Sequence, residues 1–199
     1  MGYTACQNAT SDPVAQGTVG AGTGCRIGAM YGGDRATKGG LGSACIELGG
    51  GLKVAALAVV NAVGDVLDEK GSILAGLRSP EGSGFSGVLS EFQRMTGAPV
   101  SPKTDQGREN TVIGVVATNA RLDKSAVNKV AQMAHDGLAR AINPAHTMFD
   151  GDTIFALASG DIQADVSVIG AFGAQAFEAA IRAAVRNATS LYEVRAWNQ

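Results

Sequence analysis

Two hydrophobic periods divide the chain. In its first half, apolar and small residues come in short runs of strand length. Residues 38–48 predict a turn followed by a strand, and Gly49-Gly50-Gly51 turns the chain back. Residues 52–61 are almost continuously apolar, the pattern of a central strand covered on both faces. Residues 63–67 and 72–77 predict two short strands around Asp68-Glu69-Lys70-Gly71. A β-branched run, Thr111 to Thr118, predicts a further strand. The period then changes to 3.6. Val127, Val130, Ala131, Ala134, Leu138 and Ala141 fall on one helical face. Asp123 or Ser125 caps that helix, and Asn143-Pro144 stops it. A strand over residues 153–157 leads to a second long helix, from Asp165 to about Asn187, with Val166, Ile169, Phe172, Phe177, Ile181 and Val185 inward. A short helix over residues 3–10 ends at Asp12-Pro13, and the tail from Leu191 to Gln199 is a last strand or an extension that pairs with a partner. Strands and helices segregate more than they alternate, which predicts a layered α+β fold rather than a doubly wound parallel sheet.

Residues 79–109 lie between these halves and read as an exposed segment with a short helix over 88–95. Loops of this length in compact domains serve a function or are disordered. The whole chain, residues 1–199, reads as a single domain.

Composition adjusts this picture in three ways. Of the 28 glycines, 14 fall within the first 51 residues, and they imply tight turns and close backbone packing. Gly17 to Gly28 contains Gly20-x-Gly22-x-Gly24 but lacks the strand before and the helix after that a dinucleotide fingerprint needs. It is expected to be a glycine-rich strand against which another backbone or a substrate lies. The net charge is −2 with no basic run, so nucleic acid is not an expected partner. Cys6, Cys25 and Cys45 form no CxxC and read as reduced, buried thiols of a cytoplasmic protein. No targeting segment and no apolar run of the ~18 residues a membrane span needs are read in the sequence.

The chemistry concentrates at two places. Thr111 opens a strand behind the long exposed segment. Threonine is a weak nucleophile inside a chain. It becomes a good one if the bond before it is cut, because its own α-amine then serves as base, with an unperturbed pKa of roughly 7.7–8.0. The second place is the Asp150-Gly151-Asp152 turn. Locally it reads as a plain turn, a hard-cation site, or a carboxylate that holds the Thr111 amine and hydroxyl. The oxygens a Ca²⁺ loop needs at fixed offsets are absent, so no metal is expected. Asn61, closing its strand, reads locally as a turn residue rather than a placed amide donor. His146, four residues before Asp150, permits a Ser–His–Asp arrangement on paper, but no G-x-S-x-G elbow accompanies it. His135 reads as a structural or boundary residue of the helix.

Several separate motifs share one resemblance. Asn110-Thr111-Val112-Ile113-Gly114-Val115-Val116-Ala117-Thr118-Asn119, Met133-Ala134-His135-Asp136-Gly137-Leu138-Ala139-Arg140-Ala141-Ile142 and His146-Thr147-x-x-Asp150-Gly151-Asp152-Thr153-x-Phe155-Ala156 resemble the self-processing aminopeptidases of the D-aminopeptidase / L-aminopeptidase-D-esterase type. That family includes β-peptidyl aminopeptidases and nylon-oligomer hydrolases. Gly20-Ala21-Gly22-Thr23-Gly24, Lys38-Gly39-Gly40-Leu41-Gly42-Ser43 and Val60-Asn61-Ala62-Val63-Gly64 fit the same family. The resemblance implies an α/β/β/α sandwich of N-terminal-nucleophile type, here incomplete at its N-terminus. It implies a precursor cut between Asn110 and Thr111 into an α-part, residues 1–110, and a β-part, residues 111–199. By similarity Thr111 is the nucleophile, Asn61 steadies the oxyanion, and Asp150 and Asp152 orient the new amine. That reverses the local reading of Asn61. The resemblance also implies a Lys after Gly28, where this chain carries Ala29; Arg26 and Lys38 are the nearby cations. The implied activity is removal of N-terminal residues from short peptides, amides or esters, without a cofactor. The implied assembly is a homo-oligomer, or one in which a separate chain supplies the missing layer. A non-catalytic relative acting as a structural or binding subunit, and an acyltransferase of the ornithine acetyltransferase kind, are the alternatives.

Overall fold

The computed structural model describes residues 2–96 and 110–199. In chain order the elements are α1 (Gly2–Gln7), β1 (Arg26–Ile27), β2 (Thr37–Lys38), β3 (Gly40–Glu47), β4 (Lys53–Asn61), β5 (Asp65–Leu67), β6 (Ile73–Ala75), α2 (Val88–Met95), β7 (Thr111–Ala120), α3 (Lys124–Ala141), β8 (Ile142–Asn143), β9 (Thr153–Ile162) and α4 (Val166–Arg186). The main sheet runs β3-β4-β7-β9. Its first three strands are antiparallel neighbours, and β9 lies parallel to β7 with α3 as the crossover that a parallel pair requires. A three-stranded sheet, β6-β5-β8, and the pair β1-β2 complete the strands.

Helices α3 and α4 cover one face of the main sheet. The residues turned toward them, Val54, Ala56, Ala58 and Val60 on β4 and Val112 and Val116 on β7, are buried. Glycine sets how closely the layers approach. A Cβ on Gly42 of β3 would stand 2.1 Å from the Ala180 carbonyl oxygen of α4, and one on Gly114 of β7 would stand 2.0 Å from the fully buried Phe177 ring. Each long helix starts at a carboxylate cap. Asp123 accepts the Ala126 N–H at 2.8 Å, and Asp165 accepts the Ser167 N–H at 2.7 Å, so both predicted starts hold.

The opposite face of the sheet is apolar and open. Ile113 on β7 and Phe155 and Leu157 on β9 are 49%, 59% and 49% exposed. On β4, Ala55, Leu57 and Val59 are only half-buried, so this strand is covered on one face, not on the two that its unbroken apolar run predicts. Among the described residues, the expected sandwich is represented by one helix layer and one four-stranded sheet.

Other expectations need correction. Gly17 to Gly28 is not a strand. It is a string of turns with a 3₁₀ segment at Gly20–Gly22, and only Arg26–Ile27 is extended. Its glycines do serve close packing, since a Cβ on Gly22 would fall 2.4 Å from the Leu41 nitrogen. The tail is not a strand of the sheet and pairs within its own chain. Lys38 N–H donates to Arg195 O at 2.8 Å, and the Arg78 guanidinium donates to Ala196 O and Gln199 O. Of the cysteines, Cys25 is buried while Cys6 and Cys45 are exposed. Helix α4 is long and apolar enough to cross a membrane by length and composition, with mean hydropathy 1.3, contrary to the sequence reading. Here its apolar face, Ile169, Phe177, Ile181 and Val185, is buried on the sheet. The predicted loop over 79–109 falls partly at residues 97–109, outside the described residues.

Candidate active site

The site forms where β4 ends and β7 begins. Antiparallel register sets Asn61 opposite Thr111, on the open side of the sheet. The residue before Thr111 is held from the other side, where Asn110 forms a parallel bridge with Asp150. Gly151 N–H donates to the Asn110 carbonyl oxygen at 2.9 Å. The Thr111 hydroxyl donates to that same oxygen at 2.6 Å. The hydroxyl therefore already sits on the peptide group that precedes it. The loop passes close to this hydroxyl, since a Cβ on Gly151 would stand 3.1 Å from Thr111 Oγ1.

The two carboxylates have distinct partners. Asp152 Oδ1 accepts the Val112 N–H at 2.9 Å, and its Oδ2 lies 2.9 Å from His146 Nδ1. Asp150 Oδ1 accepts the Val63 N–H at 3.2 Å, while its Oδ2 takes the Thr147 hydroxyl at 2.6 Å and the Thr147 N–H at 3.2 Å. Burial raises the Asp150 carboxyl above the usual range; the Thr147 and Val63 bonds oppose this, and the neighbouring Asp152 adds to it. In the intact chain the pair thus braces the backbone around Thr111 from the loop before β9. Asp152 does so one residue after Thr111, and Asp150 ties the loop to the segment after Asn61.

Asn61 is a strand residue and not a turn residue. Its Oδ1 accepts the Arg26 N–H at 2.9 Å, which fixes the amide's orientation. Asn61 and Asn110 line one open cleft of about 1030 Å³ with Cys25, Arg26, Lys38 and the tail residues Tyr192 to Val194. Lys38 is the residue that sequence reasoning named only as a nearby cation. Its ammonium is buried and donates to the carbonyls of Gly22, Cys25 and Gly39 at 3.0, 2.8 and 3.0 Å. Burial lowers its pKa, and Arg26 lowers it further. The signal was its place in Lys38-Gly39-Gly40, where the two glycines let the chain pack closely on neighbouring backbone. A Cβ on Gly39 would lie 2.2 Å from Val60 O. Ala29 stands in a 3₁₀ segment, Ala29–Tyr31, and the buried cation of this cleft is Lys38. Among the described residues, no group of three or more His, Cys, Asp or Glu is placed to hold a metal ion.

Thr111 at the head of a strand, with the Asp150-Gly151-Asp152 loop beside it and Asn61 opposite it in register, is the arrangement expected of an N-terminal-nucleophile hydrolase fold. Solved structures agree on the fold. The L-aminopeptidase D-Ala-esterase/amidase of Ochrobactrum anthropi, described as a variant of that fold, superposes with a TM-score of 0.60 at 21% identity, over 94% of this chain and 48% of that one. A β-aminopeptidase of Burkholderia sp. gives 0.65 at 24% identity, over 98% and 53%. The chain belongs to peptidase family S58, which it matches over residues 1–196. It is 42% identical to an uncharacterized aminopeptidase of Mycobacterium leprae over 177 residues, 82% of this chain and 44% of the relative. It is 31% identical to a 6-aminohexanoate-oligomer endohydrolase of an Agromyces species over 162 residues, 81% and 44%. The chain spans about half the length of the curated relatives it matches.

Proposed function

We propose that this chain carries the catalytic half of a self-processing amidohydrolase. It cuts its own Asn110–Thr111 bond and then removes N-terminal residues from short peptides, amides or esters through an acyl-Thr111 intermediate. The observation that carries this reading is the pair of contacts on one oxygen, the Thr111 hydroxyl at 2.6 Å and the Gly151 N–H at 2.9 Å from Asn110 O. Attack of Thr111 Oγ1 on the Asn110 carbonyl carbon puts negative charge on that oxygen, where Gly151 N–H already points; a placed donor of this kind is worth ~2.7–4 kcal/mol in related chemistry. The C–N bond then breaks, the hydroxyl proton passes to the leaving Thr111 nitrogen, and water opens the ester. The product holds a free Thr111 amine beside its own hydroxyl, the base that an N-terminal nucleophile needs. In turnover Asn61 supplies the amide for the substrate oxyanion, Asp150 and Asp152 hold the amine, and the buried Lys38 contributes positive charge to the cleft.

Family membership supports hydrolysis of amides, and the oligomer hydrolase among the relatives extends the substrate class to linear amides of ω-amino acids. No cofactor or metal enters this scheme. Intact-mass spectrometry tests it. The expected result is two pieces, residues 1–110 and 111–199, that stay together in the folded protein. Mildly alkaline incubation should raise the cut fraction, since the hydroxyl proton leaves more readily. A Thr111→Ala variant still cut at the same bond would refute self-processing. An uncut parent that hydrolyses no aminoacyl amide or ester would leave the non-catalytic subunit as the better reading.

A further inference from the structure

The chain has two histidines, and the mechanism above gives neither a task. They meet beside the site. His146 Nδ1 lies 2.9 Å from Asp152 Oδ2, and its Nε2 lies 3.4 Å from His135 Nδ1 on α3, with the ring centroids 4.9 Å apart. The other Asp152 oxygen accepts the Val112 N–H at 2.9 Å. A continuous run of polar contacts therefore leads from α3 to the residue that follows Thr111.

Three features set this run apart from an ordinary surface pair. The Asp152 side chain is only 4% exposed, so it needs a partner on each oxygen, and it has both. His146 has φ 54°, a left-handed backbone that costs a ring-bearing residue free energy and persists only where the surroundings hold it. The ring nitrogens also constrain one another. A His146 that donates from Nδ1 to Asp152 leaves Nε2 as acceptor for His135 in its neutral form, or as donor when charged. The ring–ring contact thus tolerates one positive charge on the pair but not two, because two imidazoliums would face each other with donors. The charged groups around the pair are Asp152, Asp150 beside it, and Asp136 on α3. Burial and then the neighbouring His146 lower the His135 pKa, against the pull of Asp152 and Asp136, which favours the state with at most one charge.

We propose that His146 is a positioning residue for the Thr111 reaction: it aims Asp152 at the Val112 N–H and so fixes the backbone that presents the Thr111 hydroxyl and amine, with His135 selecting the tautomer that does this. The inference rests on the reading of Thr111 as nucleophile.

His146→Asn and His146→Ala separate positioning from bulk structure. An Asn amide can reproduce the Nδ1 donor toward Asp152 and accepts a left-handed backbone, but it cannot reach His135. His146→Ala should slow self-cutting or turnover at neutral pH at least ten-fold with little change in KM. His146→Asn should recover most of that loss. The Val112 amide proton, read by NMR whether or not the chain is cut, should shift in His146→Ala and return toward its parent position in His146→Asn. An unmoved Val112 resonance in His146→Ala, or equal slowing in both variants that follows a lowered unfolding midpoint, would overturn the inference while leaving the nucleophile intact. Activity surviving Thr111→Ala would instead remove the nucleophile reading, and in that case the Val112 resonance still decides whether His146 aims Asp152.

Discussion

At the scale of single residues, the site is a set of donors and acceptors whose partners are already assigned in the intact chain. Asp150 accepts from Val63 and twice from Thr147, so its carboxylate closes its own loop and ties it to the segment after β4. Asp150→Asn would turn an NH₂ group toward one of those donors. Hydrogen bonds to a charged acceptor are worth ~1.5–3 kcal/mol, so at least a ten-fold loss of cutting or turnover is expected while far-ultraviolet dichroism stays native. Unchanged hydrolysis by that variant would remove Asp150 from the mechanism. Asp65 makes a second residue-scale prediction. It is buried and accepts the N–H of Leu77 at 2.8 Å and of Val88 at 2.6 Å, yet burial outweighs these bonds and raises its pKa from 3.8 to about 6. A raised carboxyl favours the protonated fold. Its contribution is complete below the ordinary carboxyl pKa and is lost as pH rises through about 6. The unfolding midpoint should therefore carry a downward component between about pH 4 and 6 that is missing from Asp65→Asn, measured as the difference between the two thermal profiles.

At the scale of elements, glycine decides how closely the layers pack. Gly137 lies inside α3, where alanine would improve helix propensity by roughly 1 kcal/mol. A Cβ there would stand 2.0 Å from the Ala174 carbonyl oxygen of α4. Overpacking of this kind costs typically ~1–3 kcal/mol, and backbone cannot step aside as a side-chain tip can. Gly137→Ala should lower the unfolding free energy, and equal or greater stability in urea titration would show that the helices separate without penalty. Asp165→Ala removes the cap of α4 and should cost about 1 kcal/mol by the same titration.

At the scale of the whole molecule, the open sheet face is the dominant feature. Strands spaced ~4.8 Å apart with a rise of ~3.3 Å per residue make a four-stranded face several hundred Å² in area. That approaches the ~800 Å² per partner of a standard interface. Ile113, Phe155 and Leu157 lie on it, and Thr111 and Asn61 sit at its end. The expected state is an oligomer in which a second copy covers this face and borders the cleft. Light scattering at micromolar concentration should show it, and Leu157→Glu should dissociate it. A clean monomer of the parent would sink the idea.

Local rules were enough for much of this protein. The 3.6 period and the caps Asp123 and Asp165 located both long helices, because a helix buries one stripe whatever it packs against. The β-branched run placed β7, with Thr111 at its head. What the sequence left open depends on contacts between distant segments. Asn61 read as a turn residue because nothing local shows that β4 pairs with β7 in a register that sets it opposite Thr111. The unbroken apolar run of β4 read as covered on both faces, since hydrophobicity reports a preference for burial and not the layer that provides it. Lys38 read as an ordinary cation until the fold enclosed its ammonium among the three carbonyls of Gly22, Cys25 and Gly39, and His146 joined Asp152 only through the loop's left-handed turn. Pattern along the chain determines which elements form; the partners of a buried polar group are decided only when tertiary packing removes water and brings together the donors and acceptors that must replace it.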